Sequence, residues 1–238
     1  MHLPSPLIRG KLIQRYKRFL ADIELENGDV ITAHCANPGA MTGLKDAGLA
    51  VWVSTSDNPK RKLKHSWELC QVGDAMVGIN TSHPNAIVEE AILAGKIPEL
   101  AGYETLKREV KYGQNSRIDI LLSDPDKGLC YVEIKNVHLK RDNAQPGLAE
   151  FPDAVTKRGA KHLDEMTEMV AQGHRAVMLY LIQRTDCDRF TLAHDIDPHY
   201  AARFMAATSH GVEAIAYDCA IDPLSVTVRN KLPVLPTG

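Results

Sequence analysis

The residue pattern of this chain changes near position 81. Residues 1–80 contain only short runs of β-branched and apolar residues, separated by turn residues, as in a small all-β domain. Residues 82–238 instead alternate strand-length apolar runs with longer segments of helical spacing, as in an α/β layered domain. The sequence therefore predicts two domains, residues 1–81 and residues 82–238.

The first domain is expected to be a small barrel. Asn27-Gly28 is a strong hairpin signal, because both residues tolerate the positive φ angles of a tight turn. A short helix is expected over Met41–Ala47, and the strands at Leu7–Gln14, Arg18–Glu26, Val30–Cys35, Leu49–Thr55, Lys64–Val72 and Ala75–Asn80. Five or six short strands favour an OB-like fold, which often binds nucleic acid, although a generic β-domain fits nearly as well.

The second domain is expected to be an α/β sandwich with a mixed sheet. Its first helix is predicted from a cap at Thr81 or Ser82 to about Ala94, with Pro84 in the first turn. Two more helices are expected at Val155–Gln172 and Pro198–Ser209, with Asp197 as the cap of the latter. The strands are expected at Glu104–Tyr112, Ser116–Ser123, Leu129–Val137, Arg175–Gln183, Val212–Ile221 and Ser225–Arg229.

Cysteine usage and hydropathy restrict the cellular setting. The five cysteines are far apart, odd in number and form no CxxC pair, so a disulfide framework or zinc knuckle is not expected. There is no run of about 18 apolar residues and no signal-peptide core at the start. We therefore expect a cytoplasmic protein that does not enter a membrane.

Basic residues are clustered although the net charge of the chain is only −2. Ten consecutive residues hold five bases and no acid, namely Arg9, Lys11, Arg15, Lys17 and Arg18, and a second group is Lys60, Arg61, Lys62 and Lys64. Such patches can bind a polyanionic backbone, although solubilising charge on strand faces is the alternative. Aromatic residues among these strands, Tyr16, Trp52 and Trp67, could stack on bases or pack in the core.

A third basic group opens the long predicted helix. Lys157, Arg158 and Lys161 lie there together with His162. Cations at a helix N-terminus oppose the helix dipole, so local stability does not explain them. A phosphate bound by these bases and the free backbone N–H groups would explain them, whereas a solvated polar face is the alternative.

Two carboxylates and a lysine are predicted to lie on one side of adjacent strands. Glu133 and Lys135 share a strand face because side chains alternate, and Asp119 points away from the face of Ile118, Ile120 and Leu122. Carboxylates bind Mg²⁺ or Mn²⁺, and a nearby lysine can orient water or stabilise charge on a phosphate. The alternative is a surface hairpin with a weak cross-strand ion pair.

The same residues carry a resemblance to known proteins. Asp119 with Glu133-x-Lys135 resembles the PD-(D/E)xK nuclease superfamily, although Ile118 replaces the proline that usually precedes the aspartate. The chain also resembles the sugar fermentation stimulation protein A (SfsA) family from Leu7 to Pro233, most specifically in Phe151–Leu163. The other similar stretches are Asn37–Met41, Val88–Ala91, Arg108–Tyr112, Ser116–Asp119 and Tyr131–Val137.

This resemblance implies an OB-like domain followed by a restriction-endonuclease-like domain that binds DNA with little sequence preference. It also implies a link to sugar utilisation. In such nucleases an acid on the first helix often completes the metal site, which makes Glu89 the third candidate ligand. Glu109 and Gln183 are weaker candidates, and Asp197 is interpreted as a helix cap, so that the neighbouring His194, Asp195 and His199 need not bind a metal.

Three functions are consistent with these features. The first is a Mg²⁺- or Mn²⁺-dependent nuclease that uses Asp119, Glu133 and Lys135. The second is a catalytically idle DNA-binding regulator linked to sugar (maltose-type) metabolism. A small-molecule hydrolase is the third, which the basic patches disfavour. DNA is the expected partner and RNA the alternative.

Overall fold

A computed structural model describes residues 1–4, 6–113, 115–141 and 145–236. The first six strands are β1 (Ile8–Tyr16), β2 (Leu20–Leu25), β3 (Val30–His34), β4 (Ala50–Thr55), β5 (His65–Val72) and β6 (Ala75–Gly78). Strand β1 pairs with both β2 and β4, and a parallel contact between β3 and β5 closes a five-stranded barrel. The barrel interior is filled by apolar side chains, including the fully buried Trp67. The predicted OB-like domain is therefore confirmed.

The predicted short helix at Met41–Ala47 is wrong. This segment is a series of turns, in which Met41 and Gly43 have positive φ angles that a right-handed helix cannot contain. Met41 and Leu44 are nevertheless fully buried and belong to the barrel core. The apolar residues of this segment are therefore explained by their burial in the barrel core and not by a helix.

The second domain is a six-stranded mixed sheet with helices on both faces. Helix α1 (Pro84–Leu93) covers one face, and α2 (Lys157–Ala171) and α3 (Pro198–Ser209) cover the other. The sheet order is β14-β13-β11-β9-β8-β7, in which β11 is parallel to β9 and β13 and the other pairs are antiparallel. Its strands are β7 (Thr105–Tyr112), β8 (Ser116–Asp124), β9 (Gly128–Val137), β11 (Arg175–Ile182), β13 (Glu213–Ile221) and β14 (Val226–Leu232). The predicted α/β sandwich is confirmed.

Several local features differ from the sequence-based prediction. Strands β10 (Leu148–Phe151) and β12 (Arg189–Leu192) form a small parallel pair that was not predicted. Helix α1 is preceded by His83, without a side-chain cap, because the Ser82 hydroxyl donates to Asn80 instead. Helix α2 begins at Lys157, two residues later than predicted, because Thr156 caps it by accepting from the N–H of Gly159.

The two domains contact each other at both ends of the barrel sequence. Before β1, Leu3 donates a backbone hydrogen bond to Leu224 and packs into the core of the second domain. At the end of β6, Gly78 donates to the carbonyl of Gln183, the residue after β11. Among the described residues, no helix is long and apolar enough to cross a bilayer.

The carboxylate of Asp197 connects the N-terminal ends of helices α2 and α3, and its removal should lower stability. Its buried carboxylate accepts from the N–H of Tyr200 in α3 at 2.9 Å and from the N–H of Thr156 before α2 at 2.7 Å. Asp197→Ala leaves both donors without this acceptor, so we expect a loss of about 2–4 kcal/mol in the free energy of unfolding. Urea unfolding measures it. Asp164→Ala, which removes a half-exposed acid paired with Arg203, should lose less than about 1 kcal/mol.

Candidate active site

The ladder between β8 and β9 stops at Asp119, although both strands continue. The last recorded pair is Ile120 with Val132, and beyond it the Asp119 Oδ2 accepts the N–H of Ile134 at 2.7 Å. The Asp119 carboxylate thus accepts a backbone N–H of β9 in place of a backbone carbonyl of β8. Across β8, Glu109 in β7 has a φ of 53°, and this irregularity opposite Asp119 is where the two-residue alternation breaks.

This break corrects the predicted face assignment of β8. Ile118 packs into the core under α2, whereas Ile120 and Leu122 pack into the core under α1. Strict alternation would place all three residues on one face of the sheet. In the structure Ile118 lies on the opposite face from Ile120 and Leu122. Asp119 lies where the residues of β8 change faces, and its carboxylate bonds to the backbone of β9.

Glu133 lies in the next strand, and its side chain is only 3 % exposed. Its Oε1 accepts from the ammonium of Lys135 at 2.6 Å and from Nδ1 of His162 in α2. Burial acts to raise the pKa of Glu133, but Lys135 and His162 outweigh burial and hold that pKa below its usual value. The other oxygen, Oε2, is buried and has no hydrogen-bond partner among the described residues.

Asp119 has the opposite electrostatic balance. Burial, and then repulsion by Glu133, raise its pKa to about 6, despite hydrogen bonds from Ile134 and from the Asn85 amide. Two nearby carboxylates that repel each other in a partly buried site are stabilised by a cation between them. An Asp119–Glu133 pair with one unpartnered oxygen therefore fits a divalent metal, since Mg²⁺ often takes one or two protein carboxylates and retains several waters.

Glu89 and Glu109 lie at the edge of this site. Glu89 pairs with Arg108 at 3.2 Å, and Glu109 accepts from the same Asn85 amide that binds Asp119, at 3.0 Å. In the part of the chain that the structure describes, no three His, Cys, Asp or Glu side chains are grouped so that together they could hold a metal ion. The structure therefore brings together Asp119, Glu133 and Lys135, while Glu89 is held by its own ion pair.

His162 and Asn85 are residues of this site that sequence reasoning missed or misplaced. The sequence places His162 in an exposed basic group, but it is buried, and its Nε2 accepts from Nε of Arg158 at 3.3 Å. Arg158 is thereby connected to Glu133 through one imidazole ring. A histidine in a polar helix turn gives no signal of burial, and an asparagine such as Asn85 in the first turn of a helix gives no signal of a bond to a distant strand.

The other bases of this helix differ in their surroundings. Lys157 is exposed at the first helical position. Lys161 is half exposed and pairs with Glu165 at 3.4 Å, and it also donates to the hydroxyl of Ser116. The group predicted to bind phosphate thus includes one exposed lysine, one arginine bonded to His162 and one lysine in an ion pair.

The N-terminal bases are also used in different ways. Arg15 donates to the carbonyls of Asn37 and Gly39, and Arg18 donates to that of Pro38, so both guanidinium groups hold this loop. Arg9 lies over the ring of Trp52 and within 3.5 Å of Glu26. Lys11, Lys17 and most of the Lys60–Lys64 group are exposed.

The remaining candidates have structural partners. Gln183 is buried and donates to Asn136 at 2.7 Å, near the end of β9. Asp197 caps α3 as predicted, and Asp195 pairs with Arg141. Trp67 packs in the barrel core and Tyr16 donates to Asp22, so neither is an open stacking surface.

Comparison with known proteins gives matches over nearly the whole chain. Residues 13–79 match the family described as SfsA N-terminal OB domain, and residues 82–225 match the sugar fermentation stimulation protein RE domain. Proteins called sugar fermentation stimulation protein homolog are 57 % identical in Rhodospirillum centenum (98 % of each chain) and 55 % identical in Rhodospirillum rubrum (99 % of each). The structure of Pyrococcus furiosus SfsA in complex with Ca²⁺ superposes with a TM-score of 0.88 at 23 % identity, covering 99 % of this chain and 98 % of that one.

Proposed function

This chain belongs to the sugar fermentation stimulation protein family, and we propose that it is a DNA-binding protein of little sequence preference that hydrolyses phosphodiester bonds with Mg²⁺ or Mn²⁺. The observation that carries this proposal is the Asp119–Glu133–Lys135 group at the break in the sheet, in which Glu133 is buried and the other two are half-buried. Glu133 keeps one buried oxygen without a hydrogen-bond partner among the described residues, and that oxygen is the acceptor a cation would use.

Each residue of the group has a separate task. Asp119 and Glu133 hold the cation, which, when bound, activates water and stabilises the charge that develops on the scissile phosphate. Lys135 carries its ammonium beside Glu133, where it orients the attacking water or stabilises the same developing charge. His162 fixes the orientation of Glu133 from the helix side. The Ca²⁺ in the Pyrococcus furiosus relative supports a divalent cation in this family.

Direct assay of cleavage tests the proposal. DNA and RNA strands, single and duplex, are incubated with pure protein in Mg²⁺, Mn²⁺, Ca²⁺ or EDTA. We expect DNA cleavage in Mg²⁺ or Mn²⁺ and none in EDTA. Absence of cleavage with every metal, while DNA still binds, would support the alternative of an idle DNA-binding regulator of sugar metabolism. The ion pairs that occupy Lys135 and Glu89 are the observations that favour that alternative.

DNA affinity should depend strongly on salt and little on base sequence, because phosphate contacts release counterions. Lys157 is exposed at the start of α2, on the helix that reaches Glu133 through His162. Lys157→Gln should reduce the slope of log affinity against log salt by about one unit, whatever the DNA sequence. Lys96→Gln removes an exposed lysine beyond the far end of α1 and is the matched control. Equal slopes for wild type and Lys157→Gln would remove Lys157 from the interface.

We also propose a cytoplasmic location. All five cysteines are buried as free thiols, without a disulfide among them. Thiols that are never paired are typical of proteins in a reducing compartment.

A further inference from the structure

The turn between β1 and β2 presents an exposed aromatic ring. Tyr16 pairs with Leu20, so the turn consists of Lys17, Arg18 and Phe19. Phe19 is 45 % exposed, and among the described residues it is the only phenylalanine, tyrosine or tryptophan side chain that is exposed rather than buried or half-buried. We propose that this turn, called the β1–β2 tip below, stacks Phe19 on an unpaired base, so that the DNA bound by this protein is single-stranded where it meets the tip.

The backbone of the β1–β2 tip adopts a conformation that its residues do not favour. Lys17 and Arg18 have φ angles of 48° and 64°, a region in which glycine and asparagine are preferred. Two long cations in these positions cost conformational energy that a simple turn would avoid. Such local conflicts concentrate where function requires the side chains that cause them.

The tip is anchored rather than loose. The carbonyl of Phe19 accepts from the N–H of Cys35 at the end of β3, at 2.8 Å. Arg18 donates to the carbonyl of Pro38 at 2.9 Å, which ties the tip to the neighbouring loop. An aromatic ring on an anchored turn loses little freedom when it stacks, and base stacking on aromatic side chains tolerates any base sequence.

A series of contacts leads from the tip towards the proposed catalytic group. Next to it, the loop Asn37–Gly39 contacts Asp153, whose carboxylate accepts from the N–H of Met41 at 3.3 Å. Two residues further, Val155 is 66 % exposed, and α2 then begins with Lys157 and Arg158. Arg158 reaches Glu133 through His162.

The positive charges at the two ends of this series of contacts are complementary to the phosphates of a nucleic-acid strand. Lys17 and Arg18 lie at one end and Lys157 and Arg158 at the other, and no ion pair to a carboxylate is recorded for these four among the described residues. Cations next to an exposed ring can bind the phosphates that adjoin a stacked base, and the second pair can bind phosphates further along the strand. A continuous duplex keeps its bases covered by their neighbours and offers no face to Phe19, so the ring favours an unpaired strand.

This inference rests on the proposed function, because it specifies the form of DNA that reaches the catalytic group. The test measures binding in EDTA, where no cleavage occurs, with a labelled mixed-sequence strand alone and annealed to its complement. We expect the wild type to prefer the single strand. Phe19→Ala should weaken single-strand binding by about tenfold and duplex binding by less than about twofold.

Three further variants separate stacking from other effects. Phe19→Trp should retain single-strand affinity and show quenching of its fluorescence on binding, whereas Phe19→Leu, which is apolar but cannot stack, should resemble Phe19→Ala. Val30→Ala removes a 65 % exposed apolar side chain near the opposite end of the β2 strand and should change nothing. Circular dichroism confirms that each variant is folded.

The outcomes distinguish this inference from the proposed nuclease. Equal affinity of the wild type for the two DNA forms, or an equal effect of Phe19→Ala on both, would overturn the role of the tip even if the protein cleaves DNA. Loss of single-strand binding in Phe19→Ala would sustain that role even if no metal supports cleavage.

Discussion

Lys135→Ala is expected to reduce DNA cleavage by roughly 10²-fold or more while DNA affinity, measured in EDTA, changes only a few-fold. The reason is that a cation beside the scissile phosphate acts mainly in the transition state, so its loss affects turnover rather than binding. Single-turnover cleavage and fluorescence anisotropy on the same purified variant measure the two quantities.

A second readout comes from the pH profile of the same variant. Lys135 is the strongest influence that lowers the pKa of Glu133 against the effect of burial. Without the ammonium, burial should raise that pKa, so the acid limb of the cleavage profile should move to higher pH. Lys135→Arg keeps the charge and should leave the limb near its wild-type position. If affinity and cleavage fall in proportion and the limb stays in place, Lys135 is only one more basic contact to DNA.

Asp119→Asn is expected to abolish Mn²⁺ binding and cleavage and, at the same time, to stabilise the metal-free protein. The carboxylate is half-buried beside Glu133, and its pKa is raised to about 6 from an ordinary value of 3.8. Holding it ionised at neutral pH therefore costs up to about 3 kcal/mol, which the neutral amide does not incur. Calorimetry with Mn²⁺ and urea unfolding in EDTA measure the two effects.

The stability gain of Asp119→Asn should itself depend on pH. Because the folded-state pKa is raised, protonation of Asp119 favours the folded protein. The gain should be largest above about pH 7, shrink as pH falls through 6, and vanish below about pH 3, where wild-type Asp119 is neutral in both states. Asp126→Asn, an exposed change in the same hairpin, should show neither effect. Equal Mn²⁺ affinity of Asp119→Asn and wild type would exclude Asp119 as a ligand.

The sequence predicted the two domains and the position of Glu133 and Lys135 because both depend on short-range rules. Asn27-Gly28 specifies a hairpin locally, and the two-residue period of a strand places Glu133 and Lys135 on one side whatever surrounds them. The capping role of Asp197 was predictable for the same reason, since the cap bonds to a residue three positions along the chain.

Features that depend on distant partners could not be predicted. Periodicity gives no sign that β8 and β9 separate at Asp119, because the break depends on the opposing Glu109 and on the carboxylate that replaces a backbone acceptor. The burial of His162 depends on Glu133, which is 29 residues earlier. Arg15 and Arg18 belong to a basic run in the sequence, but a loop more than fifteen residues later supplies the carbonyls that hold them.

The barrel is attached to the second domain at more than one place. Leu3 bonds to Leu224, the end of β6 bonds to Gln183, and the loop at Gly39 meets Asp153 beside the place where α2 begins. A domain joined by one linker can swing in every direction, whereas contacts at several separate places oppose its rotation. The β1–β2 tip and the start of α2 therefore keep their relative positions.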